Sequence, residues 1–279
     1  MPDSLPPAAM PRIRRARGYR LYDAQGRRYL DLAREGALLG HRAAGAVNAM
    51  KSALSQGLAA SLATAWETRL SSRLARLFPG WPTVRLYSSG ERAFQAVAAA
   101  LGGASPVVAD PALDPPADSA PVAALWRPFL PVAMGARVLV PVLPFTVCGA
   151  PAAVCFAGDL ADRAPCSDPV PGFLLAGALR ALAAVMPPAA ADDGPPAAAT
   201  FLACPRVEKA LDAGPSWIRV GPYVRAAFPR EAFTGVHARF LRAGVVLCPR
   251  YPGPSVLPGD CSPGETRLLA DLFAASPGG

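Results

Sequence analysis

The chain has 279 residues, a net charge of +8, 52% hydrophobic and 17% charged side chains. Such a composition excludes global disorder, and the length suffices for one large domain or two smaller ones with a substantial core. Six cysteines without a Cys-x-x-Cys pair, and only two histidines, point to buried reduced thiols suited to the cytoplasm and away from a metal site.

Residues 1–17 read as a mobile basic N-terminal arm: a Pro- and Ala-rich stretch without the apolar core of a signal peptide, then Arg12-Ile13-Arg14-Arg15-Ala16-Arg17. A basic arm can meet nucleic acid or an anionic surface. No aromatic-rich RNA-reading motif or zinc-finger spacing accompanies this one, so the expectation is a solvated arm and no nucleic-acid partner. The segment from Gly18 to Leu32 alternates on either side of Asp23-Ala24-Gln25-Gly26 and predicts a hairpin. Gly40-His41 follows, then an amphipathic helix over 43–57 and a second helix over 66–77.

A strand over 84–87, the turn Ser88-Ser89-Gly90 and a helix over 91–101 come next. A helix that starts just after Ser-Gly offers free N–H groups, hydroxyls and a positive dipole end to an anion, which is a phosphate cup in outline. Serine before a helix is also the commonest N-cap, so both readings stay open here.

The middle predicts strands at 106–109, 123–126, 138–142 and 153–156, and a helix at 173–186. The uncharged stretch 138–158 is about long enough to span a membrane, but Pro141, Pro144, Gly149 and Pro151 interrupt it. It reads as two buried strands of a covered parallel sheet, with no membrane contact. The aromatic, Pro-framed segments around Trp126–Pro131 and Pro141–Phe145 read as loop packing, and Cys148 as a core cysteine. Residues 187–200 form an Ala/Pro/Asp linker, and a helix over 266–275 opens at Ser262-Pro263-Gly264-Glu265.

The run Gly18-Tyr19-Arg20-Leu21-Tyr22-Asp23-Ala24-Gln25-Gly26-Arg27-Arg28-Tyr29-Leu30-Asp31, the Gly40-His41 pair, Ser89-Gly90-x-x-Ala93 and the segment from Phe233 to Pro249 resemble class III aminotransferases. Within that family the likeness is nearest to glutamate-1-semialdehyde aminomutase-like members. The resemblance implies an α/β fold: a reduced fold type I PLP-transferase-like large domain, with a small α+β domain built from both termini. It implies the division 18–60 (N-terminal part of the small domain), 66–185 (reduced large domain), 186–200 (linker) and 201–279 (C-terminal small domain). It also implies a homodimer or a hetero-complex with a related subunit, and assigns Ser88, Ser89 and Gly90 to a vestigial cup for the phosphate of pyridoxal 5'-phosphate.

The family's chemistry needs a lysine that condenses with the cofactor aldehyde. This chain has Lys51 and Lys209 only, and none between the cup and residue 200. Arginine cannot form the imine. Glu91 and Arg92 stand where the family has Thr and Glu, and no aromatic-His-Gly segment follows the cup. The expectation is therefore a pseudoenzyme with no catalytic residue, no cofactor and a binding or scaffolding role. The alternatives are a residual PLP-dependent aminotransferase or aminomutase acting with a partner subunit, and a small-anion binding module.

Overall fold

The structure is a computed structural model that describes residues 10–33, 37–103, 107–113, 121–186 and 205–275. In chain order its elements are β1 (Ile13–Arg17), β2 (Arg20–Asp23), β3 (Arg28–Asp31), α1 (Ala44–Ser55), α2 (Ala65–Leu77), β4 (Thr83–Tyr87), α3 (Gly90–Ala100), β5 (Val108–Ala109), β6 (Ala123–Trp126), β7 (Val138–Pro141), β8 (Ala152–Phe156), a 3-10 helix at Gly158–Arg163, α4 (Gly172–Val185), α5 (Pro205–Asp212), β9 (Trp217–Val220), β10 (Tyr223–Ala226), α6 (Arg230–Arg242), β11 (Val245–Val246), β12 (Ser255–Val256) and α7 (Pro263–Ala274). The chain packs as two compact units.

The first unit comprises Met1–Arg34, Leu38–Arg42 and Ala197–Gly279. The predicted hairpin is present: β2 pairs antiparallel with β3, and Asp23 closes the turn by accepting the N–H groups of Gln25 and Arg27 on Oδ1. The sheet runs β1-β2-β3-β11, and β11 joins β3 in parallel. A second sheet, β12-β10-β9, shares the same core. Trp217 anchors that core, with Phe228, Phe240 and Phe273 at ring centroid distances of 5.2, 5.7 and 5.0 Å. Helix α7 begins at Pro263, ahead of the predicted start, because Ser262 and Glu265 form a complete capping box with Pro at the first helical position.

Residues 13–17, expected to be a mobile arm, are instead the edge strand β1, paired with β2 from Ile13↔Asp23 to Arg17↔Arg20 with a bulge between Ile13 and Arg15. The pairing comes from β2, whose backbone edge would otherwise be open.

The second unit comprises Glu35–Ala37 and Ala43–Pro196. Its five-stranded sheet has the order β4-β8-β7-β6-β5. Strands β5, β6 and β7 are parallel, but β8 runs antiparallel to both β7 and β4. The expectation that both apolar runs belong to a parallel sheet is thus corrected for β8 alone: a short connection turns the chain straight back into the sheet, which only an antiparallel neighbour allows. The same connection explains why 138–158 does not form one apolar helix. No described helix is long and apolar enough to cross a membrane. Val138, Val140, Val154 and Phe156 are buried under the small residues Ala93, Ala96 and Ala100 of α3. Small residues on that helix face let it lie close to the sheet. On the other helices, α1 packs along α4, where Gly177 leaves room for Met50 and Phe145. The linker expected at 187–200 and the strand start at residue 106 lie outside the described residues.

Candidate functional site

The Ser88-Ser89-Gly90 turn stands between β4 and α3, at the end of the sheet where β4 is an edge strand. Ser89 is the N-cap of α3: its side chain accepts the N–H of Arg92 at 3.2 Å. Ser88 turns the other way. Its N–H and its hydroxyl both donate to Asp168 Oδ2, at 3.1 and 2.7 Å. Arg92 completes the arrangement, with Nε donating to the same oxygen at 3.3 Å and Nη2 to Oδ1 at 3.0 Å. One carboxylate therefore takes four hydrogen bonds at the start of the helix. Arg92 foremost, with Ser88, holds the Asp168 carboxyl down to about 2, against the opposing effect of its burial.

Asp168 arrives on the segment that leaves the 3-10 helix and runs along the open edge of β4. Asp168 N–H donates to Leu86 O at 2.9 Å, Leu86 N–H donates to Ser167 Oγ at 3.1 Å, and Tyr87 Oη donates to Pro165 O at 2.9 Å. Arg85 also donates to the carbonyl of Ala164. These bonds satisfy an edge that would otherwise need water or another strand. The Ser-Asp-Pro triplet is visible in the sequence, but nothing local signals that its carboxylate reaches a turn 80 positions earlier.

The β7–β8 connection comes to the same place. Val147 and Ala150 form an isolated bridge, Cys148 and Gly149 sit at φ 52 and 77, and a Cβ at Gly149 would lie 3.8 Å from Gly90 N. This tip bears the Cys148 thiol, exposed where a core cysteine was expected. Cys166 is exposed as well, while Cys155 is buried and its thiol pushed up by that burial. Tyr87 is pushed up to about 12, chiefly by burial. Lys51 is exposed on α1, and Lys209 is exposed on α5 in the other unit. His41 and His237 also belong to that other unit: His41 Nε2 lies 2.7 Å from Asp31 Oδ2, and His237 is buried on α6.

At the far end of the sheet, Arg127 and the buried Asp110 form a part-buried bidentate pair with Nε–Oδ1 at 2.6 Å and Nη2–Oδ2 at 2.5 Å. Trp126 is packed edge-on to Phe78 at 5.0 Å. Packing, as expected, accounts for the Trp126-Arg127 segment. Among the described residues no three His, Cys, Asp or Glu side chains are grouped to hold a metal ion.

No model of a known protein family matches the chain. An uncharacterized protein of Treponema pallidum (strain Nichols) is 31% identical over 290 aligned positions, which cover 88% of this chain and 89% of that one. Among solved structures, a glutamate-1-semialdehyde aminomutase from Pseudomonas aeruginosa PAO1 superposes with a TM-score of 0.66 at 18% identity, covering 94% of this chain and 86% of that one. An omega-transaminase from Sphaerobacter thermophilus gives 0.64 at 17% identity, with 95% and 90% covered. A serine palmitoyltransferase from S. paucimobilis gives 0.69 at 10% identity, with 97% and 93% covered. At these identities the likeness to solved structures establishes the fold, in reduced form, of the class III aminotransferases and other fold type I PLP-dependent enzymes. This chain belongs to the family of the Treponema pallidum protein, built on the fold type I PLP-transferase fold.

Proposed function

We propose that this protein is a catalytically degenerate aminotransferase-like protein with a binding or scaffolding role. The observation that carries the reading is the Asp168 carboxylate at the start of α3. It takes both donors of Ser88 and two of Arg92, and it sets a negative charge beside the N–H groups a cofactor phosphate would need. Glu91, exposed in the first turn of the same helix, adds a second. A phosphate dianion entering there would meet Glu91 and would have to displace Asp168 from the donors of Ser88 and Arg92.

The residues around this turn do not fit pyridoxal 5'-phosphate. No lysine lies on the β7–β8 connection, or anywhere between the cup and residue 200, to take up the cofactor aldehyde. Nor does the second unit supply a histidine, carboxylate or tyrosine poised for neutral pH at this turn. General acid–base work needs a group that titrates near the working pH. Asp168 is held near 2 and Tyr87 near 12, and the second unit contains no histidine. The assembly that the fold supports is a homodimer or a complex with a related subunit, and the cysteine usage suits the cytoplasm.

The test is an absorbance titration of the purified protein with pyridoxal 5'-phosphate, followed by borohydride reduction and peptide mapping. The expected result is no imine band and no fixed cofactor. A stoichiometric adduct on Lys51 or Lys209 would overturn the reading. An imine that forms only when a lysine-bearing related subunit is added would replace it with a shared active site.

A further inference from the structure

The non-catalytic reading leaves open what this protein binds, and the first unit carries an observation that bears on it independently. Eighteen of the 28 basic side chains but only nine of the 20 acidic ones lie in that unit. Much of the excess is concentrated on its edge strand. Pairing β1 with β2 brings Arg15 opposite Tyr22, and pairing β2 with β3 brings Tyr22 opposite Arg28. Directly opposed residues of a sheet share a face, so Arg15, Tyr22 and Arg28 form one row across three strands. The Arg15 guanidinium lies over the Tyr22 ring, 4.3 Å from its centroid. The bulge between Ile13 and Arg15 turns Arg14 toward the same place, and Arg14, Arg15, Tyr22, Asp23 and Gly26 line a cavity of about 460 Å³.

Of the row, Arg28 lies 3.8 Å from Glu265 Oε1, whereas the arginines at the sheet edge are open to a ligand. Arg12, Arg14 and Arg17 are exposed, and among the described residues their side chains have no ion pair or hydrogen bond. Arg20 shows the alternative use of an arginine here: it is bound by Glu265 at 2.6 Å and Asp260 at 3.4 Å. Charged residues on an edge strand can serve only to keep other strands away. That role accounts for the arginines, but not for an aromatic ring stacked beneath one of them beside a cavity.

We infer that the β1–β2–β3 face is a binding surface for single-stranded nucleic acid. Phosphates would lie along Arg12, Arg14 and Arg17. A base would stack on the guanidinium–tyrosine pair of Arg15 and Tyr22, because the outer face of an exposed guanidinium plane accepts an unstacked base as an aromatic ring does. Bases inside a duplex cannot reach such a platform, so single strands are preferred. The sequence conceals this surface because Arg12–Arg17 shows no aromatic residue of its own; the tyrosine comes from the next strand.

The experiment is fluorescence anisotropy of a short mixed-sequence labelled oligonucleotide, single-stranded and as the matching duplex, with the full chain over a series of salt concentrations. Single strands are expected to bind more tightly than the duplex. The logarithm of affinity should fall linearly with log salt at a slope of about −2 to −3, for three or four neutralised phosphates. Arg14→Ala/Arg15→Ala should weaken single-strand binding about tenfold or more and flatten that slope. Tyr22→Leu should weaken single strands about fivefold or more and leave the duplex unchanged. Arg17→Glu, at the exposed edge and without a packing role, repeats the charge test should Tyr22→Leu disturb the hairpin. Absence of salt-dependent binding, or full affinity in the double variant and in Arg17→Glu, would overturn the inference. So would equal binding of an acidic polypeptide or dextran sulfate at matched charge together with no effect of Tyr22→Leu, which would make the surface a site for anions in general.

Discussion

Arg92 and Asp168, 76 positions apart, meet in a two-point contact with Nη2–Oδ1 at 3.0 Å and Nε–Oδ2 at 3.3 Å. The Arg92 side chain is 43% exposed, so its Coulomb contribution is weakened by solvent. The Asp168 side chain is 14% exposed and also holds Ser88, so most of its value lies in the hydrogen bonds it accepts. Asp168→Asn keeps the shape and should cost about 1–2 kcal/mol. The folded carboxyl titrates below its unfolded value, so its contribution is complete above about pH 4 and is lost as the pH falls toward 2. Urea unfolding of wild type and variant should therefore differ at pH 6 and converge near pH 2. A gap that is constant with pH would mean that Asp168 stays charged in both states or contributes through packing alone.

A carboxylate near 2 with a different task is Glu265. Burial alone would raise it, but hydrogen bonds from Arg20 and Ser262 outweigh burial. It closes the capping box of α7, with Ser262 N–H donating to Oε2 at 2.8 Å, and it binds Arg20 at 2.9 and 2.6 Å. Glu265→Ala removes the reciprocal half of the capping box and leaves Arg20 with the exposed Asp260 in place of its two-point partner, for an expected loss of about 2–4 kcal/mol. Ser262→Ala should cost about 1 kcal/mol. Asp260→Ala should cost almost nothing, because that partner is 74% exposed. Thermal unfolding of the three variants ranks them; an Asp260 effect as large as that of Glu265 would contradict the assignment.

His237 adds a loss of stability in acid of the same sign as that of Asp168 and Glu265, but starting at higher pH. Burial holds its imidazole below the usual value, against a weaker opposing contact with the main chain of Leu247. The unfolded chain takes up the proton first, near pH 6.5, so stability is full above that value and declines as the pH falls through the folded value. His237→Leu should flatten the loss between pH 7 and pH 5, measured as the urea midpoint. An unchanged slope would show that other groups set it.

Particular residues show how much of this was legible in the sequence. The β4–turn–α3 unit, the hairpin at Asp23–Gly26 and the cap at Ser262 follow from turn chemistry and hydrophobic period, and the structure has them within a few residues of the expected limits. Strands β6, β7 and β8 were readable as unbroken apolar runs, but the direction of β8 was not: an apolar run carries no sign of which neighbour it faces. Strand β1 was missed because three of its five side chains are arginines, so no apolar alternation marks it. At the site, Ser88, Ser89 and Gly90 could be named from their position before a helix. The carboxylate that Ser88 and Arg92 hold could not, because long-range hydrogen bonds leave no periodic trace.

Gly40 offers the cleanest separation of backbone strain from crowding. It sits at φ +85, and a Cβ there would lie 2.8 Å from Gly18 O and 3.0 Å from Gly18 C. Those atoms cannot yield, because Gly18 and His41 are joined by two backbone hydrogen bonds of 3.0 and 2.5 Å, and His41 is held in turn by Asp31 at 2.7 Å. Gly26, in the hairpin turn, has nearly the same φ of +81 but nothing within 4 Å of its would-be Cβ. Gly26→Ala should therefore cost only the left-handed backbone term of about 1–2 kcal/mol. Gly40→Ala adds overlap with main-chain atoms and should cost about 2–5 kcal/mol. It should also free the His41 ring from Asp31, which the chemical shifts of the His41 side chain at fixed pH would report. If the two glycine variants unfold at the same urea concentration, the close approach of residue 40 to Gly18 is not a constraint on this fold, and the Gly40-His41 pair owes its place to backbone conformation alone.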